Sequence, residues 1–170
     1  MVIDKHINYT NWGEIKDILP DITEIKSLDL SGMGLTEFHK MSHITIKRNF
    51  WCYSNQLKSF NGCPLVNGDF NCCNNQITSF KDCPDIGGNF YCSFNQIKSF
   101  KDCPIVNGDF YSDIMLFNII YKYSKKKKIS LLKAQVKLYN KCDKELLEHI
   151  DKLPDLIAYN RLKSLKYLLD

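Results

Sequence analysis

The sequence predicts an α/β-type repeat solenoid, a short parallel sheet of about five coils with a helical cap at each end. Two observations carry that prediction. One 20-residue phrase is said three times and begun a fourth: NFWCYSNQLKSFNGCPLVNG, DFNCCNNQITSFKDCPDIGG, NFYCSFNQIKSFKDCPIVNG, then DFYSD. Beyond Phe110 the phrase gives way to helical periodicity. Self-similarity at a fixed period marks stacked units that bury their apolar faces only against their neighbours.

Residues 1–23 read as an N-terminal helical cap. Thr10 or Asn11 serves as N-cap ahead of WGEIKDIL, Glu14 takes the capping-box position, and Pro20 ends the helix. Trp12, Ile15, Ile18 and Leu19 form its apolar face. A solenoid end exposes core and unpaired strand edge, so a covering element is required.

Residues 24–112 hold the solenoid, with repeats near 25–46, 49–68, 69–88 and 89–108 and a partial one from 109. The first is degenerate. SLDLSGMGLTEF sets Leu28, Leu30, Leu35 and Phe38 at the offsets of Phe50, Cys52, Leu57 and Phe60, with Met33 where Asn55 stands. The same four positions recur as Phe70, Cys72, Ile77 and Phe80, then as Phe90, Cys92, Ile97 and Phe100. Phe-x-Cys has the period of two of a strand, so both side chains point inward and the residues between point out. Asn55, Asn75 and Asn95 follow at the bend, where a side-chain amide satisfies main-chain groups and forms a ladder from coil to coil. Gly68, Gly88 and Gly108 are expected at positive φ, and Pro64, Pro84 and Pro104 stiffen the return leg.

Residues 113–170 are expected to form an all-helical C-terminal cap. Asp113 caps a helix through Tyr123, Ser130 one through Tyr139, Asp143 one to Lys152, and Asp155 one carrying Leu156, Leu162, Leu165, Leu168 and Leu169.

The pattern hydrophobic-x-hydrophobic-x-x-Asn-x-hydrophobic-x-x-hydrophobic resembles the leucine-rich repeat, with Phe and Cys where Leu is usual. The 20-residue period is similar to the short repeats of bacterial leucine-rich effectors. Cys-x-x-Asn-Gln-(Leu/Ile)-x-Ser-Phe and Asp-Cys-Pro look more like the repeat proteins of giant viruses and bacteriophages. The resemblance covers residues 25–117 and implies a binding surface, with a host target or a place in a particle as its setting. Some of those effectors carry a ubiquitin-ligase domain with a Cys nucleophile. Cys142 is the one echo of it, and the tail is too short to hold such a domain.

Composition fits one compact domain, with 44% hydrophobic and 25% charged residues and a net charge of +4, too small to dictate a nucleic-acid partner. No apolar run is long enough to span a membrane, and the N-terminal stretch lacks a signal-peptide core, so a cytoplasmic protein with reduced thiols is expected, in the host cytoplasm or the virion if it is viral. Seven of the eight cysteines lie in the repeats: Cys52, Cys72 and Cys92 on strands, Cys63, Cys83 and Cys103 before the prolines, and Cys73 outside both columns. Without a C-x-x-C pair or a nearby His pair, zinc is not expected, and the thiols read as small hydrophobes. His39 and His43, four apart, lack a third ligand and read as loop residues. No metal or other cofactor is called for.

Function is sought on the outward strand positions: Trp51 and Tyr53, Asn71 and Cys73, Tyr91 and Ser93, Tyr111 and Asp113, with Phe94 beside them. Repeat packing asks for no aromatic there, and Trp and Tyr are the side chains of interface hot spots. A protein partner is therefore expected. A structural, particle-associated role is an alternative. So is an anionic partner, nucleic acid included, at the Lys125, Lys126, Lys127 and Lys128 run, since from Tyr111 onward 13 Lys plus Arg face 7 Asp plus Glu. Asp69, Asn89 and Asp109 share a column, which reads as loop capping. With no Ser-His-Asp set and no phosphate-cradling loop, no enzymatic activity is expected.

Overall fold

Phe-x-Cys folds as a short strand with Phe and Cys buried and the residue between them half-exposed. The computed structural model describes residues 1–8, 13, 16–98, 100–113, 115–131 and 133–134. The repeat strands are β4 (Phe50–Trp51), β6 (Phe70–Asn71), β7 (Phe90–Tyr91) and β8 (Phe110–Tyr111). They pair in parallel with Phe opposite Phe throughout. The degenerate repeat joins this column through β2 (Glu24–Asp29), where Leu28 lies opposite Phe50. The offset read from SLDLSGMGLTEF is thus the observed register.

A second column runs down the return leg, to which the sequence reading gave no strand. β3 (Thr45–Ile46) and β5 (Leu65–Val66) pair in parallel, and the bridges Val66–Ile86 and Ile86–Val106 extend the column. Val66, Ile86 and Val106 are buried β-branched residues two places after each proline, which gives the leg its strand character. β2 serves both columns, Glu24 and Ile25 pairing with β3 and Leu28 and Asp29 with β4. The result is one eight-stranded sheet, a parallel β-solenoid of about five turns.

The described chain divides into two compact units, one comprising Met1–Ile97 with Asp102–Asp113 and the other Lys98–Lys101 with the chain from Ile114 onward. In the first, Phe50 stacks on Phe70 at 5.2 Å and Phe70 on Phe90 at 5.5 Å, ring over ring. Phe60 and Phe80 brace that stack from the next turn of the coil, Phe60 at 6.1 Å from Phe70 and Phe80 at 6.3 Å from Phe90. Burying such a ring contributes about 1.5–3 kcal/mol, so the aromatic columns are the main apolar stabilisation of the unit.

The Asn ladder forms by way of the backbone. Asn75 Oδ1 accepts from Leu57 N–H, and its Nδ2 donates to the carbonyls of Cys52 and Cys72, tying two coils with one amide. Asn55 and Asn95 repeat the arrangement with Leu35, Leu30 and Cys52, and with Ile77, Cys72 and Cys92. The residue before each is left-handed: Ser54 at φ 57°, Asn74 at 54° and Phe94 at 57°. A second left-handed corner follows the second Phe, at Lys40, Gly62, Asp82 and Asp102.

Gly68, Gly88 and Gly108, expected at positive φ, are not there; they are needed for closeness instead. A Cβ on Gly68 would lie 2.5 Å from Arg48 O, and those on Gly88 and Gly108 would lie 2.7 and 2.6 Å from the carbonyl carbon of the glycine one coil earlier. Here Gly108 N–H donates to Gly88 O and Gly88 N–H to Gly68 O, so adjacent coils meet backbone to backbone.

The N-terminal segment corrects the expected helical cap. Val2–Ile7 is a strand, β1, in parallel with β2 and shifted by an irregularity between Ile3 and His6. Strand hydrogen bonds thereby continue onto the first coil, a stronger satisfaction of its edge than a helix face provides. Lys16–Asp21 is a 3-10 helix that contains Pro20 rather than stopping at it; Leu19 is buried and Ile18 exposed. Thr10, Asn11, Trp12, Glu14 and Ile15 lie outside the described residues, as do the helices expected from Asp143 and Asp155.

In the second unit, α1 (Met115–Lys127) runs one turn beyond the expected end at Tyr123. Lys125, Lys126 and Lys127 therefore form the last turn of the helix, with Lys128 just past it. Ile129 N–H bonds Ser124 O and Lys128 N–H bonds Lys125 O, both at 3.2 Å, with Lys128 at φ 51°. That is a Schellman motif with Lys at its left-handed position, and the cations complement the helix dipole. Ser130 takes N-cap hydrogen bonds, its Oγ accepting from Lys133 N–H and its carbonyl from Ala134 N–H, while the rest of the helix expected through Tyr139 lies outside the described residues.

Two outcomes test this packing. Gly88→Ala should lower the unfolding free energy by about 2–4 kcal/mol, while Gly34→Ala, where φ is +69° and nothing lies within 4 Å, should lose only about 1 kcal/mol; urea unfolding compares them. The seven described cysteines are free. Burial, first of all, pushes the thiols of Cys52, Cys63, Cys72, Cys83 and Cys92 well above their ordinary pKa. An acid kept protonated by the fold and free to ionise when unfolded leaves stability unchanged at low pH and lowers it once the unfolded thiol titrates. Stability should thus fall above about pH 8.5, by about 1.4 kcal/mol per pH unit for each such thiol, and Cys72→Ala should make the slope shallower in urea titrations at rising pH.

Candidate interaction surface

Odd-numbered residues of the first column face outward, so the coils write a grid of three positions on four rungs. Asn49, Asp69, Asn89 and Asp109 form its first column, Trp51, Asn71, Tyr91 and Tyr111 its second, and Tyr53, Cys73, Ser93 and Asp113 its third. Strand register sets neighbours directly above one another, Trp51 opposite Asn71, Asn71 opposite Tyr91, and Tyr91 opposite Tyr111.

The first column is a hydrogen-bond ladder. Asn49 Oδ1 accepts from Asp69 N–H at 3.0 Å, Asp69 Oδ1 from Asn89 N–H at 2.7 Å, and Asn89 Oδ1 from Asp109 N–H at 2.8 Å. Asp69 and Asn89 thus accept main-chain hydrogen bonds as the sequence implied, whereas the Asp109 carboxylate accepts from the Tyr111 hydroxyl. Their function as acceptors explains why Asn and Asp alternate freely there: both offer the same oxygen.

The second column carries the aromatic surface. Tyr91 and Tyr111 stack at 4.8 Å with ring planes 4° apart, and the His6 ring meets Trp51 edge-on at 5.9 Å. Asn71 interrupts the row and folds its Oδ1 back onto Cys73 N–H. Trp51 and Tyr91 are half-buried, and Tyr111 is 41% exposed. Asp109 Oδ2 accepts from the Tyr111 hydroxyl at 3.4 Å, and that carboxylate, ahead of every other influence, pushes the phenol above its ordinary pKa. Tyr53 is also 41% exposed, and burial raises the thiol of Cys73, which sits beside Ser93 and Asp113.

Phe94 stands apart. It is 69% exposed and left-handed, in the place where other coils use Ser54 and Asn74, the latter donating to Ser54 Oγ at 3.2 Å. Left-handed backbone is cheap for Asn and strained for an aromatic, so Phe94 is there against local preference.

Elsewhere, Lys16, Asp17, Leu19, Glu37, His39 and His43 line an open groove of about 660 Å³. His43 Nε2 bonds the Leu19 carbonyl at 3.0 Å, which gives that ring a structural task. Among the described residues no three His, Cys, Asp or Glu side chains are grouped to hold a metal, and no helix is long and apolar enough to cross a membrane. Lys125, Lys126, Lys127 and Lys128 are exposed. Sequence reasoning placed the outward set but missed His6, because β1 was read as part of a helical cap, and missed the backbone conformation of Phe94.

Comparison with protein families, curated proteins and solved structures finds no match for this chain.

Phe94→Asn should raise stability by about 0.5–1 kcal/mol by relieving left-handed strain, read as a higher melting temperature.

Proposed function

We propose that the chain is a non-enzymatic interaction module that binds a protein partner through the outward grid. The row Trp51, Asn71, Tyr91 and Tyr111 supports this most directly: large, rigid rings with polar tips, held in register by the sheet, contribute contact area with little entropy to lose. Exposed Tyr53 and strained Phe94 extend the same chemistry. A binding rather than a catalytic reading is favoured by how the reactive groups are employed. The carboxylate of Asp69 accepts a main-chain hydrogen bond, and burial keeps the ladder thiols protonated. The resemblance to leucine-rich repeat proteins of giant viruses and bacteriophages makes a host-cell protein the natural partner.

A second reading concerns the second unit. Lys122, Lys125, Lys126, Lys127, Lys128 and Lys133 are exposed on a stretch without one acidic residue from Ile114 to Cys142, a chemistry suited to phosphate-bearing surfaces.

Affinity capture from host extract with the native chain and the Trp51→Ala, Tyr91→Ala variant tests both. With melting unchanged, the partner should be lost with the variant, by about 2 kcal/mol or more per anchor. Capture that survives the variant and vanishes at high salt belongs to the Lys run. No capture at all favours a structural, particle-associated role.

A further inference from the structure

The grid has a charge sign opposite to that of the chain that carries it. Its twelve positions hold the carboxylates of Asp69, Asp109 and Asp113 and not one Lys or Arg, in a protein of net charge +4. Asp29, opposite Trp51 on the preceding rung, adds a fourth carboxylate. Asp109 and Asp113 are exposed, and Asp69 and Asp29 half-exposed. Nearby cations on the adjoining strand and loop are occupied, Lys26 with Asp4 at 3.5 Å and Lys47 with Glu24 at 2.6 Å; Arg48 stands one position outside the grid. Aromatic faces interleave with these acids. Trp51 precedes the Asp69 rung, and Tyr111 lies between Asp109 and Asp113 along one strand.

Ring faces carry negative quadrupole charge, and carboxylates carry full charge. An ammonium or guanidinium set over Trp51 or Tyr111 meets both at once, with the strongest cation–π partner being Trp. The Tyr111 phenol reports part of the same field: its ionisation is opposed first by the Asp109 carboxylate, then by burial, and further by Tyr91 and Asp69. The carboxylate share of that opposition is what favours a cation there.

We infer that the occupant of this face is a cationic peptide segment, rich in Lys or Arg, laid across the outward grid. The inference rests on the reading of the grid as a binding site and specifies its partner's chemistry. Carboxylates along the rim steer and orient such a segment, while Trp51, Tyr91 and Tyr111 take its side-chain stems and charged heads.

The test is the binding of a fluorescent (Lys-Gly)6 peptide, with (Glu-Gly)6 as control, to the full chain by anisotropy at low and high salt. The decisive variant is Asp69→Asn, Asp109→Asn, Asp113→Asn. Asn49 and Asn89 already occupy the column of Asp69 and Asp109 and accept the same backbone hydrogen bond, and Asn at position 113 keeps the shape and an acceptor oxygen of Asp113, so the fold is preserved and melting verifies it. The Lys peptide should bind, the Glu peptide should not, and the triple variant should weaken binding about tenfold or more, with a flatter salt dependence. Lys-peptide binding that the triple variant leaves unchanged, or its absence from the native chain, overturns the inference. Should the Lys peptide fail to bind while extract capture still depends on Trp51 and Tyr91, the cationic partner is wrong and the site stands. If capture is also indifferent to those two residues, both fall.

Discussion

One side-chain amide per coil holds the solenoid in register. Asn55, Asn75 and Asn95 each receive a backbone N–H from the preceding coil and give their own N–H groups to carbonyls of two coils. Those main-chain groups sit at a bend where no strand partner exists, and leaving one of them buried and unpaired costs about 1–3 kcal/mol. The amide also forces identity of shape from one coil to the next, because its reach is fixed. Only coils that bend at the same residue with the same left-handed predecessor can be linked by it. Phe50, Phe70 and Phe90 stack in the same register.

Opposite the bend, closeness is set by glycine. Where Gly88 and Gly108 lie, backbone meets backbone without room for a methyl group, and the chain trades side-chain packing for direct N–H to carbonyl bonds. Amide on one side and glycine on the other clamp the coil spacing at both corners. Of the outward positions between the clamps, the Asn49, Asp69 and Asn89 column carries a backbone ladder, whereas core packing asks for no aromatic at Trp51, Tyr91 or Tyr111. Two columns of the grid vary from coil to coil, Trp, Asn, Tyr and Tyr in one and Tyr, Cys, Ser and Asp in the next.

Much of this was legible beforehand. The 20-residue spacing fixed which Phe pairs with which, and SLDLSGMGLTEF aligned without error onto the full repeats. The second strand column was missed because it announces itself by two residues per coil, too short for alternation to register; its signal was the buried β-branched residue after each Pro-x. Glycine roles were misassigned because sequence shows a Gly but not which of its two virtues, left-handed freedom or small size, is in use. The strand at Val2–Ile7 was hidden for a different reason. VIDKHI alternates poorly, and what makes it β is the edge of β2 that it covers, a tertiary cause with no local trace. Outward residues of the candidate surface were readable from strand parity alone. Their charge character was equally present in the sequence, but it had meaning only once Asp69, Asp109 and Asp113 shared a face with Trp51 and Tyr111.

Repetition also supplies an internal control that single-copy folds lack. Where coils agree, the fold requires the residue; where one departs at a cost, the fold does not explain it. Asp82 and Asp102 occupy left-handed corners where Gly62 stands in another coil, a tolerable exchange for a short polar side chain. Phe94 is different in kind. Its counterparts Ser54 and Asn74 suit the corner and bond to each other, whereas Phe94 takes the same backbone conformation with its ring in solvent. Neither core packing nor local propensity asks for it, and hydrophobic burial in the isolated chain returns little for the strain. Phe94 follows Ser93 of the outward grid directly in the chain. The agreements between coils are the part of the sequence that the fold explains, and the departures, Trp51 and Phe94 foremost, are the part on which the proposed binding role rests.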